Sequence, residues 1–199
     1  MRYAKGHREA TRKKILAAAS RMFREHGYDG VGVDAIMAEV GLTAGGFYSH
    51  FDSKEALFAE SLVAAFDQRS HQLKTQVQVA DDSNILTNLI YGYLSRTHRD
   101  MTGEGCVFPS LTADVVRGSQ TTRKHYEKRL KQFQSTIGKY LAKSDTLTNE
   151  KAIAILVQLI GGVMLARAVD DEKFSNDILK ACRQAALNIA NDEQTTVRK

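Results

Sequence analysis

Proline occurs once in the 199 residues, and tryptophan is absent. With so little proline to break them, long helical patterns run on uninterrupted. The only two cysteines, Cys106 and Cys182, stand far apart, with neither metal-ligand spacing nor the density of a disulfide scaffold. That usage fits a reducing cytoplasm. The most apolar run, Ala152 to Ala166, is fifteen residues, contains Gln158 and closes at Arg167. It is short for a membrane span and reads as a buried helix. The first residues are basic without an apolar stretch, so no signal peptide is expected. The 6 histidines show no paired metal spacing, and no P-loop, nucleophile elbow or dinucleotide fingerprint is present. Cys106 with His98 is the one nucleophile–base pair weighed for an enzyme. No enzymatic activity, cofactor, metal or membrane partner is expected.

Acidic residues are scarce at the start of the chain. Residues 1–24 carry Arg2, Lys5, Arg8, Arg12, Lys13, Lys14, Arg21 and Arg24 against Glu9 alone, within a net charge of +5. Such an arm suits phosphate contact, because neutralising phosphates releases counterions. A solvated helix face is the plainer reading of the same charges.

The rest is an ordinary composition, 43% hydrophobic and 26% charged, long enough to bury a sizeable core. Apolar residues repeat at helical spacing almost throughout. A first helix over Arg8 to His26 buries Ile15, Leu16, Ala19, Met22 and Phe23, and Gly27 ends it. Ile36, Met37 and Val40 mark a second, stopped at Gly41. Thr43 caps a third, whose inner face is Phe47 and Phe51, one turn apart. Two short helices around a glycine turn make a helix-turn-helix, whose second helix enters the major groove of DNA. Ser53 caps a long helix over 54–79, about 39 Å at about 1.5 Å per residue. The cluster Asp81-Asp82-Ser83 ends it and caps a helix over 84–99. Helices over 107–117, 120–143 and 148–169 follow, then one over 176–191 capped by Ser175. The expectation is an all-α chain of about nine helices.

The segment Phe-Tyr-Ser-His-Phe-Asp-Ser-Lys-Glu-Ala-Leu, with Tyr48, His50, Phe51 and Lys54, resembles the N-terminal domain of TetR-family (TetR/AcrR type) transcriptional regulators over about residues 10–60. Gly-Cys-Val-Phe-Pro-Ser-Leu and Leu-Ala-Arg-Ala-Val-Asp-Asp look like one subset of that family. The resemblance implies a helix-turn-helix DNA-binding domain over 1–52 and a ligand-binding and dimerisation domain over 53–199. Carried across position by position, it assigns DNA contact to Thr43, Ala44, Gly45, Gly46, Tyr48, Ser49, His50 and Lys54. Gly32 departs from the family, which commonly has Thr or Ser capping the second helix and meeting a phosphate. Ala44-Gly45-Gly46 offers almost no base-reading side chain, which shifts specificity toward close backbone approach, Ser49, methyl contacts and DNA shape.

The resemblance also implies a homodimer and a small-molecule effector. Small residues permit close helix approach, and the dimer interface is expected at Leu159, Gly161, Gly162, Val163, Leu179, Cys182 and Ala186. The alternative is that these helices bury each other within one subunit. Candidate pocket residues are Tyr91, Tyr93, Phe108, Leu111, Tyr126, Phe133, Gln158 and Met164. The functional expectation is a cytoplasmic repressor that binds a pseudo-palindromic operator as a dimer and is released by a small molecule. Two alternatives stand beside it: a thiol- or electrophile-sensing repressor acting through Cys106, and a helical interaction protein that does not bind DNA. A helix N-terminus favours a reactive thiolate, whereas Glu104 opposes one.

Overall fold

A computed structural model describes residues 5–77, 85–141 and 147–192, and every regular element among them is helical. In order these are α1 (Lys5–His26), α2 (Val33–Glu39), a 3₁₀ helix (Ala44–Ser49), α3 (Lys54–Val77), α4 (Ile85–Tyr93), α5 (Arg96–Asp100), α6 (Val107–Arg117), α7 (Gln120–Lys139), α8 (Thr148–Arg167) and α9 (Glu172–Asn191). The expected helix over 84–99 is two helices. Ser95 turns extended, and its hydroxyl accepts from the His98 N–H at 3.1 Å, starting α5. Serine competes for backbone groups in mid-helix and is better placed at a cap. Ser53 caps α3 as expected, accepting from the Ala56 N–H at 3.0 Å. The stop at Asp81-Asp82-Ser83 lies outside the described residues. Asp171 rather than Ser175 caps α9, accepting from the Phe174 N–H at 3.0 Å. Ser175 is buried and donates to the Ala166 carbonyl at 2.6 Å.

The chain forms two compact units, Met1–Gln72 with Thr102–Arg129, and Leu73–Met101 with Leu130–Lys199. In the first, Ile15, Ala19 and Phe23 of α1 are fully buried with Ile36, Met37, Phe47, Leu57 and Phe58, and Phe23 meets Phe58 edge-on. Leu16 and Met22 are half-buried. Gly27 and Gly41 end α1 and α2 in the left-handed region (φ +76° and +71°), where a side chain is strained. Segments beyond residue 100 hold α1 and the turn that follows it at one point each. Arg24 Nε donates to the Gly103 carbonyl at 2.7 Å, and the Tyr28 N–H donates to Asp114 at 3.2 Å. Burial pulls the Arg24 guanidinium below its ordinary value, with Cys106, Glu25 and Glu104 working the other way. The Ser119 N–H, just before α7, donates to Glu55 at 2.8 Å, and hydrogen bonds from Ser119 hold that carboxyl below its ordinary range.

In the second unit α8 packs on α9, and Arg167 Nε and Nη2 donate to the carbonyls of Arg99 and His98, both at 2.8 Å. By length and composition α8 is apolar enough to cross a membrane. One face of it is instead buried in the unit's core. Leu159, Gly162, Val163, Leu179 and Ala186, expected at a dimer surface, are buried within the single chain. Half-buried Cys182 sits against Gly162. These six are therefore intrachain packing residues, and of the expected interface set only Gly161 faces open space. The periodicity on a helix apolar all round could not tell its inner from its outer side. The outer side carries Ile153, Val157, Gly161 and Leu165, spaced by four, with Val157 60% and Leu165 59% exposed.

Candidate nucleic-acid interface

The segment expected as an α-helical reader is a 3₁₀ helix, and the correction has a local cause. Gly45 and Gly46 contribute no helix propensity. The hydrogen bonds run three residues back, from the Gly46 N–H to Thr43 O at 3.0 Å and from the His50 N–H to Phe47 O at 2.9 Å. Ser49 strengthens that register by donating from its hydroxyl to Gly46 O at 2.7 Å. Thr43 occupies the N-cap with extended backbone, but its side chain makes no capping hydrogen bond. Gly32 likewise precedes α2 without a side-chain cap, as its lack of a hydroxyl dictates. A short helix of this kind is weak alone. Phe47 anchors it in the core, stacked on Phe51 at 5.7 Å and meeting Tyr48 edge-on.

Outward it presents Tyr48, 72% exposed, with Thr43, Gly45 and Ser49, while Ala44, Gly46 and His50 are half-buried. A side chain at Gly45 would meet nothing within 4 Å, so the backbone there is open to close approach. Lys54, at the start of α3, holds its amine over the Tyr28 ring, 4.2 Å from the centroid. That contact orients the charge without neutralising it. All eight expected residues thus lie within or just beyond one short segment, five of them on the 3₁₀ helix and two, Thr43 and His50, at its caps.

The basic arm is less free than its composition suggests. Arg21 pairs with Glu25 at 2.8 Å and with Glu39, which ties α1 to α2. Arg24 is bound to Ser20 and Gly103, and Arg12 to Glu60. Lys13 reaches Glu9 at 3.4 Å in an exposed pair, and Lys14 is exposed. Arg8 donates to the Ser49 carbonyl at 2.5 Å. Three of the arginines in the basic arm, Arg12, Arg21 and Arg24, therefore hold the protein together, and among the described side chains the surface charge rests on Arg8, Lys13 and Lys14. Arg2 lies outside the described residues.

Burial first, then Arg8 and Arg12, lower the His50 pKa below 6.5. Its Nδ1 is buried with no hydrogen-bond partner, which leaves Nε2 as the ring nitrogen able to form an outward hydrogen bond. The ring is neutral at pH 7, so it offers a hydrogen bond rather than a charge. A depressed folded value means that the unfolded chain binds the proton first, so stability is lost as pH falls below about 6.5 toward the folded value. The expected result is a melting temperature that declines over that window in the native chain and declines less in His50→Gln. Parallel declines would remove His50 as the cause. Glu55 acts in a separate, more acid window below its ordinary value of 4.5.

The expected pocket residues fall into separate groups. In the first unit Phe108 meets Tyr126 edge-on at 5.1 Å, Tyr126 shares a 2.6 Å hydrogen bond with Thr112, and Leu111 is buried. In the second, Tyr93 stacks on Phe133 at 5.8 Å. Tyr91 is exposed under the Arg183 guanidinium, and Gln158 and Met164 are half-buried. Cys106 is buried at the N-cap of α6, which closes the thiol to bulky reagents. Among the described residues no group of three or more His, Cys, Asp or Glu side chains could hold a metal ion.

Residues 15–61 match the family described as bacterial regulatory proteins, tetR family. The chain is 25% identical to the HTH-type transcriptional repressor DhaR of Mycobacterium sp. (strain GP1), over 65% of this chain and 67% of that one. It is 31% identical to the IcaR negative transcriptional regulator of the biofilm operon icaADBC of Staphylococcus aureus (strain Newman), over 41% and 42%. The fold is that of a TetR-family transcriptional regulator from Cytophaga hutchinsonii, with a TM-score of 0.78, 16% identity and complete coverage of both chains. The reduced form of Escherichia coli NemR superposes with a TM-score of 0.76 at 18% identity, covering 90% of this chain and 96% of that one.

Proposed function

We propose that the chain, whose residues 15–61 match the bacterial regulatory proteins of the tetR family, is a DNA-binding transcriptional regulator of that family and a cytoplasmic repressor. It binds a pseudo-palindromic operator as a homodimer and is released by a small organic effector. The observation that carries this reading is the exposed 3₁₀ helix, with Tyr48 projecting and an open backbone at Gly45, on a buried Phe47–Phe51 anchor. Residues 1–52 are the reading head, and residues 53–199 serve the effector and the second copy. The names of DhaR, a repressor, and IcaR, a negative regulator, support repression over activation.

The dimer face is the outer side of α8, with Ile153, Val157, Gly161 and Leu165, joined by exposed Phe174 of α9. Two copies joined there offer two reading helices, and half-sites about 34 Å apart lie one helical turn apart on DNA. Release requires only that the effector favour a conformation with another spacing. The ties from Gly103 and Asp114 to α1 are suited to passing a shift of α6 to the head. The burial of Cys106 favours an ordinary effector over thiol chemistry as the signal.

Binding is tested with duplexes enriched by the native protein from a random pool. Tyr48→Phe and Lys54→Ala are expected to weaken binding to the enriched duplex without lowering the melting temperature. Lys54→Ala is also expected to flatten the salt dependence by about one phosphate contact. If no duplex is enriched, the DNA-binding assignment of this surface fails. An unchanged salt slope would remove Lys54 from it.

A further inference from the structure

The reading segment is poorly able to hold its own angle. It is six residues of 3₁₀ helix with two glycines and no side-chain capping hydrogen bond from Thr43. Its C-terminal end is fastened by a side chain from elsewhere. Arg12, on α1, donates from Nε to the His50 carbonyl at 3.3 Å. The same guanidinium lies over the Phe51 ring, 4.4 Å from its centroid, and its Nη2 donates to both carboxylate oxygens of Glu60 on α3, at 2.7 and 2.5 Å. One planar group thus joins α1, the end of the reading helix and α3.

We propose that Arg12 is a positioning residue for operator discrimination, fixing the 3₁₀ helix through the His50 carbonyl, Phe51 and Glu60, and does not itself contact phosphate. The inference rests on the DNA-binding reading above and adds to it. Its geometry needs a flat fork with several donors, which a lysine ammonium cannot reproduce. The guanidinium charge is already matched by Glu60, so it adds little to the field that draws DNA in. Base edges are read only when the helix enters the groove at a set angle, whereas phosphate attraction tolerates misplacement. Loosening the strap therefore lowers the affinity for the enriched duplex and leaves that for scrambled DNA nearly unchanged.

The test compares affinities for the enriched duplex and for a scrambled duplex of the same composition, using the full chain below its melting temperature. Arg12→Lys keeps the charge. It is expected to reduce the ratio of the two affinities roughly tenfold, about the worth of one well-made base contact, with an unaltered salt slope. Glu60→Gln gives the sharper sign. Removing a negative charge raises attraction to any DNA, yet the ratio is expected to fall. The double variant should lose little more than either single one, since both break the same strap. A native ratio in Arg12→Lys and Glu60→Gln would overturn the inference, as would a salt slope in Arg12→Ala reduced by a full phosphate contact. Failure of the native protein to enrich any duplex is a different result and defeats the DNA-binding reading itself. Should Arg12→Lys fold poorly, Glu60→Gln decides alone.

Discussion

Gly162→Leu is expected to destabilise the second unit strongly. A β-carbon at Gly162 would lie 2.8 Å from Leu94 Cδ2, 2.9 Å from Cys182 Cβ and 3.0 Å from its sulfur. Two of these atoms belong to α9 and one follows α4, so α8 is wedged between neighbours on both. Alanine alone gains up to about 1 kcal/mol of helix propensity over glycine. Against that, overpacking a closed core costs about 1–3 kcal/mol. Alanine is thus expected to be mildly destabilising, and leucine, with three further carbons and nowhere to go, to exceed 3 kcal/mol. For a chain of this size that lowers the melting temperature by about 6 °C or more. Thermal unfolding followed by circular dichroism checks it. A Gly162→Leu protein that melts with the native one would mean that the α8–α9 contact is looser than the structure has it.

The helix-turn-helix could be read from local signals because its determinants lie close together in sequence. Gly41 needs a left-handed turn, Phe47 and Phe51 are one turn apart, and Tyr48 falls on the opposite side. What could not be read were the couplings across long separations. Arg12 and Glu60 are 48 residues apart, and each is an unremarkable surface charge in the sequence. The same holds for Arg24 with Gly103 and Glu55 with Ser119. A count of basic residues in the arm therefore overstated what is available to phosphates. The 3₁₀ form of the reader had a signal in Gly45-Gly46 followed by Ser49, since glycine pairs weaken the α register and a serine hydroxyl can bond three residues back. Ser95 carried a similar signal for the break before α5. On α8 the limit was different. Adjacent positions on a helix point about 100° apart, so Gly161 and Gly162 cannot share a role, but a helix apolar on every side does not reveal which of them faces inward.

Val157→Asp combined with Leu165→Asp is expected to turn a dimer into monomers and to cost more operator affinity than any single change in the reading helix. Both positions are more than half exposed in the single chain, so aspartate there disturbs little intrachain packing. In the proposed dimer the same positions meet a second copy, and the two-fold axis brings four carboxylates into an apolar contact. Buried unpaired charges of one sign are among the costliest groups to desolvate. Gly161→Leu tests the same face by volume, because a side chain there meets no atom of its own chain within 4 Å. Losing the partner removes the second half-site, and joint engagement of two linked sites is worth roughly 10²–10⁴-fold in affinity. Sedimentation should give the monomer mass for the double variant and for Gly161→Leu, and mobility shift should give half-site binding only. Thermal unfolding should stay close to that of the native chain, which separates loss of the partner from the destabilisation expected of Gly162→Leu. If the double aspartate variant sediments with the native protein and keeps its operator affinity, the second copy docks elsewhere and the outer face of α8 is not the interface.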